Sequence, residues 1–187
     1  MDGPLAEKAT EIYMKHTDLF NDHIKEDLKY GEPFEFPGLT IVKDERQSES
    51  LNTEEEPKVI IAGSGMMSGG RILNHAAHFL PITSTRLFIV GYQAEQTLGR
   101  ELLNGKKEVF IDRAKIEVRA NINSTASMSS HADKLQLIGW LSHIKNVKKV
   151  FVTHGEDVSR EALSKKISEK LGITDVTLPV INQEIIF

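Results

Sequence analysis

Apolar residues recur at helical spacing in residues 6–13 and again in residues 18–29, which predicts two helices near the N-terminus. Further along the chain, residues 58–62, 86–91 and 149–153 form short, continuously apolar runs. Such runs are typical of strands that are buried on both faces of a parallel sheet. Helical patterns separate and follow these runs, at residues 71–79, 96–103, 131–144 and 159–171.

The order of these elements predicts an α/β fold. The strand at 58–62, a Gly-rich turn, a helix and the strand at 86–91 form a βαβ unit, in which the two strands run parallel. Residues 115–122 alternate between apolar and charged side chains, which is typical of a half-solvated antiparallel edge strand. We therefore expect a parallel sheet with helices on both faces. Further short strands are predicted at residues 39–42, 107–111, 176–178 and 183–187.

The composition narrows the classes of function. The chain has 187 residues, a formal net charge of −4 and no cysteine. This charge excludes a histone-like basic arm, and the lack of thiols excludes disulfides and Cys-ligated metals, so any metal must be held by His and carboxylate side chains. No apolar run approaches the roughly 18 residues that cross a bilayer. The N-terminus also lacks the pattern of a signal peptide. We therefore expect a cytoplasmic protein that does not enter membranes.

The Gly-rich turn of residues 63–71 is the first candidate site. Its backbone N–H groups precede a predicted helix, where unpaired donors and the helix dipole attract anions. The turn lacks the Gly-Lys-Ser/Thr of a P-loop, and its glycines also suit a tight turn without a ligand, so both interpretations stay open. The guanidinium of Arg71 is placed to add a bidentate phosphate contact. The candidate phosphate-binding residues are Ser64, Gly65, Gly69, Gly70 and Arg71.

Two histidines are candidates for chemistry. His131 follows a serine-rich segment near a predicted helix N-terminus, where an imidazole can be tuned for proton transfer; the alternative is a capping segment with an incidental histidine. His154 follows the apolar run at 149–153, and ligands of α/β sheets lie at such strand ends. It could therefore ligate a metal, and the alternative is a turn histidine. His75 and His78 are three residues apart on one predicted helix and could in principle share a metal. They lack a third ligand nearby, so we expect both to be solvated.

Together these motifs resemble the β-CASP branch of the metallo-β-lactamase superfamily, whose members are RNA- and DNA-processing nucleases. The resemblance covers nearly the whole chain. The Gly-rich segment is similar to that of the branch, and Ser130–Asp133 and Thr153–Glu156 resemble its motifs B and C. Three other stretches are also similar to segments of the branch, namely Asp2–Ala6, Gly91–Glu95 and Thr97–Arg100.

This resemblance implies a domain organisation and a set of roles. Residues 1–126 would form a β-CASP-like domain, and residues 127–187 would form the closing strand-helix segment of the metallo-β-lactamase fold. His154 would be the last ligand of a two-zinc site. His131 would contact the scissile phosphate or assist proton transfer to the leaving oxygen. The RNA cleft would be lined by the Gly-rich segment, Arg100 and three serines, Ser127, Ser129 and Ser130.

The expected function is therefore part of a zinc-dependent, RNA-processing ribonuclease. The His-x-His-x-Asp-His motif of the family does not occur in the sequence. Because zinc catalysis needs at least three protein ligands at one point, we expect at best weak zinc binding and no nuclease activity from this chain alone. The expected partners are RNA and either a missing N-terminal metallo-β-lactamase half or a homodimer partner. Two alternatives stay open: a non-catalytic RNA-binding, phosphate-binding or assembly module, and a small nucleotide-binding domain.

Overall fold

The computed structural model describes residues 1–31, 34–125, 127–129 and 131–185. It divides the chain into two compact units, residues 1–129 and residues 130–187. Both units combine helices with short parallel strand pairs, so the α/β architecture predicted from the sequence is confirmed. In the described part of the chain, no helix is both long and apolar enough to cross a membrane.

The first unit contains five helices, one 3-10 turn and four strands among its described residues. The helices are α1 (Pro4–Lys15), α2 (Asp22–Asp27), α3 (Glu45–Ser50), α4 (Ile72–Phe79) and α5 (Leu98–Leu103), and the 3-10 turn is Thr17–Leu19. The strands are β1 (Arg86–Ile89), β2 (Glu108–Ile111), β3 (Ala114–Glu117) and β4 (Asn121–Ser124). β1 and β4 pair in parallel, whereas β2 and β3 form an antiparallel hairpin.

The core of the first unit lies between α4, α5 and the strands. Leu80, Leu102 and Val109 are almost fully buried there. The carbonyl of Leu80, at the end of α4, accepts hydrogen bonds from the N–H groups of Arg119 (2.8 Å) and Ala120 (2.9 Å). These bonds take the backbone away from the hairpin, so the strand predicted over residues 115–122 divides into the end of β3 and the start of β4.

The second unit packs two helices around a short parallel pair. Its elements are α6 (Lys134–Ser142), β5 (Val150–Phe151), α7 (Asp157–Leu171) and β6 (Val176–Thr177). α6 begins with a capping box, in which Asp133 and Gln136 each accept a backbone hydrogen bond from the other. α7 ends at Gly172, which adopts the left-handed conformation (φ 68°) that glycine tolerates best. Ile138, Leu141, Val152 and Ile167 form the buried core.

Three further predicted strands differ from the structure. Residues 39–42 form only an isolated bridge at Val42. Residues 58–62 form only an isolated bridge at Ala62, and the side chains of Val59 and Ile61 are 88% and 58% exposed. The prediction that this run is buried on both faces is therefore wrong, since the described residues place no layer over these side chains. Residues 183–185 are not a strand, and residues 186–187 lie outside the described part of the chain.

A buried carboxylate joins the N-terminus to the rest of the first unit. Asp2 is 1% exposed, and its backbone forms isolated parallel bridges with both Val42 and Ala62. Its carboxylate accepts hydrogen bonds from Ser48 Oγ (2.5 Å) and Arg71 Nη1 (2.5 Å), and it lies 2.7 Å from Nε2 of His75. Three segments that are far apart in sequence therefore meet at one side chain.

His75 completes this cluster from α4. Its Nδ1 atom lies 2.8 Å from Oδ1 of Asn52, and its side chain is 4% exposed. The expectation that His75 is solvated is therefore wrong. The helix face that carries it is turned towards the Asp2 carboxylate, which the local sequence around His75 does not reveal.

The surroundings of Asp2 lower its pKa. Burial alone would raise the pKa of this carboxyl, but the hydrogen bonds from Ser48, His75 and Arg71 and the Arg71 charge outweigh it and hold the pKa below its ordinary value. Because the folded-state pKa lies below the unfolded value near ~3.9, the carboxylate stabilises the fold above that pH. The contribution is lost as the pH falls through the folded-state pKa.

We predict that Asp2→Asn lowers the free energy of unfolding by about 2 to 4 kcal/mol at neutral pH, because it removes the partner of a largely buried guanidinium. The difference from wild type should shrink below about pH 4. Urea unfolding followed by far-UV circular dichroism between acidic and neutral pH measures both effects. Asp112→Asn, at an exposed hairpin position, is the matched control and should change little. A pH-independent loss in Asp2→Asn would contradict the assignment.

Candidate functional site

The Gly-rich turn folds back on itself between the extended segment at 58–62 and α4. The N–H of Ser64 donates to the Gly69 carbonyl (3.2 Å), and the N–H of Ser68 donates to Ser64 Oγ (3.0 Å). Met67 anchors the turn, since its side chain is 4% exposed and belongs to the hydrophobic core. Ser64 therefore uses its hydroxyl and its N–H inside the turn.

Glycine is required at one position of this turn. Gly70 has φ 78°, and a Cβ at this position would lie 2.7 Å from the carbonyl oxygen of Gly63. Gly69 has neither restriction, because a Cβ at residue 69 would meet no atom within 4 Å. The interpretation of a tight turn that needs glycine is therefore supported at Gly70, and it does not conflict with anion binding.

Several backbone donors of the turn lack an acceptor. Among the described residues, the N–H groups of Gly65, Gly69 and Gly70 donate no hydrogen bond. Gly65 and Gly70 are exposed and Gly69 is half-buried, and the last two directly precede the N-terminal end of α4. Unpaired N–H groups beside a helix N-terminus attract anions, so this geometry suits a phosphate group.

Arg71 points to a different partner from the one predicted. Its Nη1 atom donates to the Asp2 carboxylate and to the carbonyl of Val42 (3.3 Å), and its side chain is 19% exposed. The guanidinium therefore holds the N-terminal segment against α4. Its contact with phosphate stays a prediction, and the backbone amides beside it are the better placed donors.

Arg100 lies at a separate polar cavity of the first unit. Its guanidinium carbon is 5.8 Å from the centre of the Tyr92 ring, and this ring is 57% exposed. Thr97 caps α5 by accepting a hydrogen bond from the N–H of Arg100 (3.3 Å). The cavity has a volume of about 570 Å³, and its lining residues are Glu95, Gln96, Arg100, Glu101, Asn104 and Lys106.

Gln93 is a buried polar residue to which the sequence patterns assigned no role. Its side-chain amide is 2% exposed and donates to the carbonyl of Gly65 (2.8 Å), which links the segment after β1 to the Gly-rich turn. The sequence feature that could have indicated this contact is Gly99, a glycine inside the predicted helix 96–103. A glycine in such a position often marks the close approach of another group.

The serine-rich segment is described only in part. Ser127 Oγ lies 2.7 Å from Oγ1 of Thr125, and its N–H also donates to that atom (3.2 Å). Ser129 is exposed, and Ser130 lies outside the described residues. His131 is exposed and precedes the Asp133 cap of α6. The predicted RNA contacts of the serines and the catalytic role of His131 stay predictions.

His154 lies directly after β5 and has an uncommon backbone conformation. Its φ is 62°, in the left-handed region that non-glycine residues rarely adopt. Arg160 fixes the preceding strand by donating from Nε to the Val152 carbonyl (3.2 Å) and from Nη2 to the Pro179 carbonyl (2.5 Å). Such outliers concentrate at functional sites, and the His154 side chain is exposed at the carboxyl end of a parallel pair.

The described residues do not form a complete metal site. Within residues 1–31, 34–125, 127–129 and 131–185, no group of three or more His, Asp or Glu side chains is placed to hold one metal ion. A catalytic zinc site needs at least three such ligands. Among the described residues, His154 belongs to no such group.

Comparisons with known proteins match two parts of the chain to family models. Residues 1–102 match the Beta-Casp domain family, and residues 115–179 match the Zn-dependent metallo-hydrolase RNA specificity domain. The chain is 32% identical over 169 residues to Ribonuclease TTHA0252 of Thermus thermophilus, which covers 90% of this chain and 38% of that protein. It is 34% identical over 156 residues to an RNase J-like protein of Methanocaldococcus jannaschii, covering 83% of this chain and 35% of that protein.

A third relative is named for a different role. The chain is 30% identical over 182 residues to the transcription termination factor FttA of Thermococcus kodakarensis, covering 93% of this chain and 28% of that protein. The chain therefore spans about a third of the length of the curated relatives it matches.

We predict that Gly70→Ala destabilises the first unit by about 1 to 3 kcal/mol, because it forces a left-handed alanine against the Gly63 carbonyl. Gly69→Ala, its neighbour with open space, should stay within about 0.5 kcal/mol of wild type. Urea unfolding of both variants, followed by far-UV circular dichroism, measures the difference. Equal stabilities of the two variants would show that the turn has another conformation.

Proposed function

The chain belongs to the β-CASP family of RNA-processing metallo-hydrolases, and we propose that it forms the RNA-cleft part of a zinc-dependent ribonuclease. In this proposal the Gly-rich turn and Arg100 contact RNA phosphates, His131 contacts the scissile phosphate, and His154 contributes one zinc ligand. The observation that carries the proposal is the set of N–H groups without acceptors before α4, in the part of the chain that matches the Beta-Casp domain.

The charge of the protein suits a narrow contact with a single RNA strand. With a net charge of −4, the chain has little long-range attraction for a polyanion. Backbone amides do not depend on this long-range attraction, because they carry no net charge and bind the phosphate at short range, close to the helix dipole. Glycines at positions 65, 69 and 70 allow such a close approach, since no side chain stands in front of the amides.

Zinc chemistry would require donors beyond those that the described residues bring together. Because the described residues do not form a complete site, we propose that the chain is inactive alone. We propose that the remaining ligands come from a metallo-β-lactamase half, with a second copy of this chain as the other candidate partner. When bound, zinc would supply a nucleophilic hydroxide and stabilise developing charge at phosphorus.

A second candidate function is a non-catalytic RNA-binding or assembly module. Two observations favour it. The N–H groups of the Gly-rich turn are available to bind phosphate, and the described residues do not form a complete metal site. The two candidates differ at His154, because only a zinc-dependent enzyme needs its imidazole. A small nucleotide-binding domain would instead bind free nucleotides in preference to RNA.

We predict that the chain binds 5′-labelled single-stranded RNA in a salt-dependent way. Arg100→Ala should weaken binding and reduce the slope of log K against log salt by about 0.7, the contribution of one phosphate contact on a single strand. Fluorescence anisotropy over a series of salt concentrations measures the slope. Arg113→Ala, at the exposed turn between β2 and β3, is the matched loss of charge and should leave the slope unchanged.

Two results would count against this assignment. If both arginine variants lose affinity equally, the attraction is diffuse and Arg100 does not contact phosphate. If the wild-type chain binds a free mononucleotide more tightly than RNA, the nucleotide-binding alternative is correct and the RNA proposal fails.

We predict weak zinc binding and no metal-dependent cleavage by the chain alone, because one histidine cannot replace a set of three or four ligands. Isothermal titration with zinc, combined with a ribonuclease assay on the same labelled RNA, tests both statements. Addition of a metallo-β-lactamase half from a relative should restore cleavage, and His154→Ala should abolish that restored activity. Robust cleavage by the isolated chain would refute the proposal, and restored cleavage that survives His154→Ala would remove His154 from the ligand set.

A further inference from the structure

The buried side-chain amide of Gln93 links two sequence motifs, the Gly-rich turn and the segment that follows β1. Its Nε2 atom lies 2.8 Å from the carbonyl oxygen of Gly65, 3.1 Å from that of Gly91 and 3.0 Å from that of Tyr92. The bond to Gly65 spans 28 residues, whereas the other two are local. The two protons of one amide group therefore hold the Gly-rich turn to the segment that follows β1.

The opposite side of the amide is closed by Gly99. A Cβ on Gly99 would lie 1.7 Å from Oε1 of Gln93 and 2.6 Å from its Cδ, so residue 99 must be glycine while the glutamine keeps this rotamer. The N–H of Gly99 also reaches the carbonyl of Met66, at 3.4 Å. Two consecutive carbonyls of the Gly-rich turn, those of Gly65 and Met66, are thus contacted by groups from residues 93–99.

Packing alone does not account for a glutamine at this position. Its Oε1 atom is buried and has no hydrogen-bond partner among the residues that the structure describes. A buried acceptor without a partner is unfavourable, and methionine has a similar length without any such atom. What the glutamine adds is the donor that reaches the Gly65 carbonyl.

We propose that Gln93 is a positioning residue, which fixes the Gly-rich turn in the conformation that presents its unpaired N–H groups. The inference has a second part, which rests on the proposed function: this fixed conformation raises the affinity of the turn for RNA phosphate. The physical reason is preorganisation: a turn held in its binding conformation loses less entropy when the anion arrives. Gln93 itself is too deeply buried to touch RNA.

The test compares Gln93→Met with Gln183→Met. Gln183 accepts a backbone hydrogen bond from Val180 in the second unit and is exposed, so it serves as the matched control. We expect Gln93→Met to accelerate hydrogen exchange of the protected amides of Ser64, Met67 and Ser68 by about tenfold, the scale of one lost hydrogen bond. RNA affinity should fall by about five- to tenfold, with the circular dichroism spectrum preserved.

Each outcome of this comparison is decisive. Unchanged exchange in the turn overturns the positioning role, whatever the RNA result. Accelerated exchange with unchanged RNA affinity, in a wild-type chain that binds RNA, overturns the link to RNA. If the wild-type chain does not bind RNA at all, the proposed function and the RNA part of the inference fail together, and the exchange rates alone still decide the positioning role.

A double-variant cycle tests the contact between Gly99 and the Gln93 amide. Gly99→Ala should displace the Gln93 amide and accelerate exchange in the turn, whereas Gly139→Ala, a helical glycine in α6 with open space, should not. In a Gln93→Ala background the clash is gone, so adding Gly99→Ala should have no further effect. Additive effects of the two substitutions would show that Gly99 and Gln93 act independently, which would refute the proposed coupling between them.

Discussion

The carboxylate of Asp2 is the interaction on which the first unit depends. A buried carboxylate is unfavourable unless donors surround it, and here Ser48, Arg71 and His75 all point to it. Its backbone meanwhile bridges two extended segments, at Val42 and Ala62. The second of these leads directly into the Gly-rich turn, and Arg71 follows that turn. Both ends of the turn are therefore tied to the same residue.

This constraint bears on the proposed binding of an anion by the Gly-rich turn. Because the Arg71 guanidinium is directed at Asp2, the arginine acts mainly as a structural partner, and the backbone amides of Gly69 and Gly70 are left as the accessible donors. Recognition by backbone depends on shape more than recognition by a flexible side chain does. The buried amide of Gln93 supplies a third point of attachment for the turn, at the Gly65 carbonyl.

The second unit contributes a strained histidine without a complete metal site. His154 adopts a left-handed backbone at the end of β5, while Arg160 holds the neighbouring carbonyls of Val152 and Pro179. This arrangement suits a residue that must present its imidazole at one place. The described residues supply no further cluster of ligands beside it. Family membership and this geometry together support the proposal that the chain shares its chemistry with additional polypeptide.

The sequence by itself determined the elements that follow local rules. Spacing, capping and turn chemistry within a few residues predict the helices near 4–15, 72–79 and 157–171, the stop at Gly172 and the α/β class. The family was indicated by the resemblance of the sequence motifs. Only the tertiary structure decided which apolar and polar groups are buried. Asp2 and His75 are 73 positions apart, so no local pattern reveals that their side chains lie within hydrogen-bond distance. Exposure of Val59 and burial of Gln93 were decided in the same way, since burial depends on the segments that pack against a side chain.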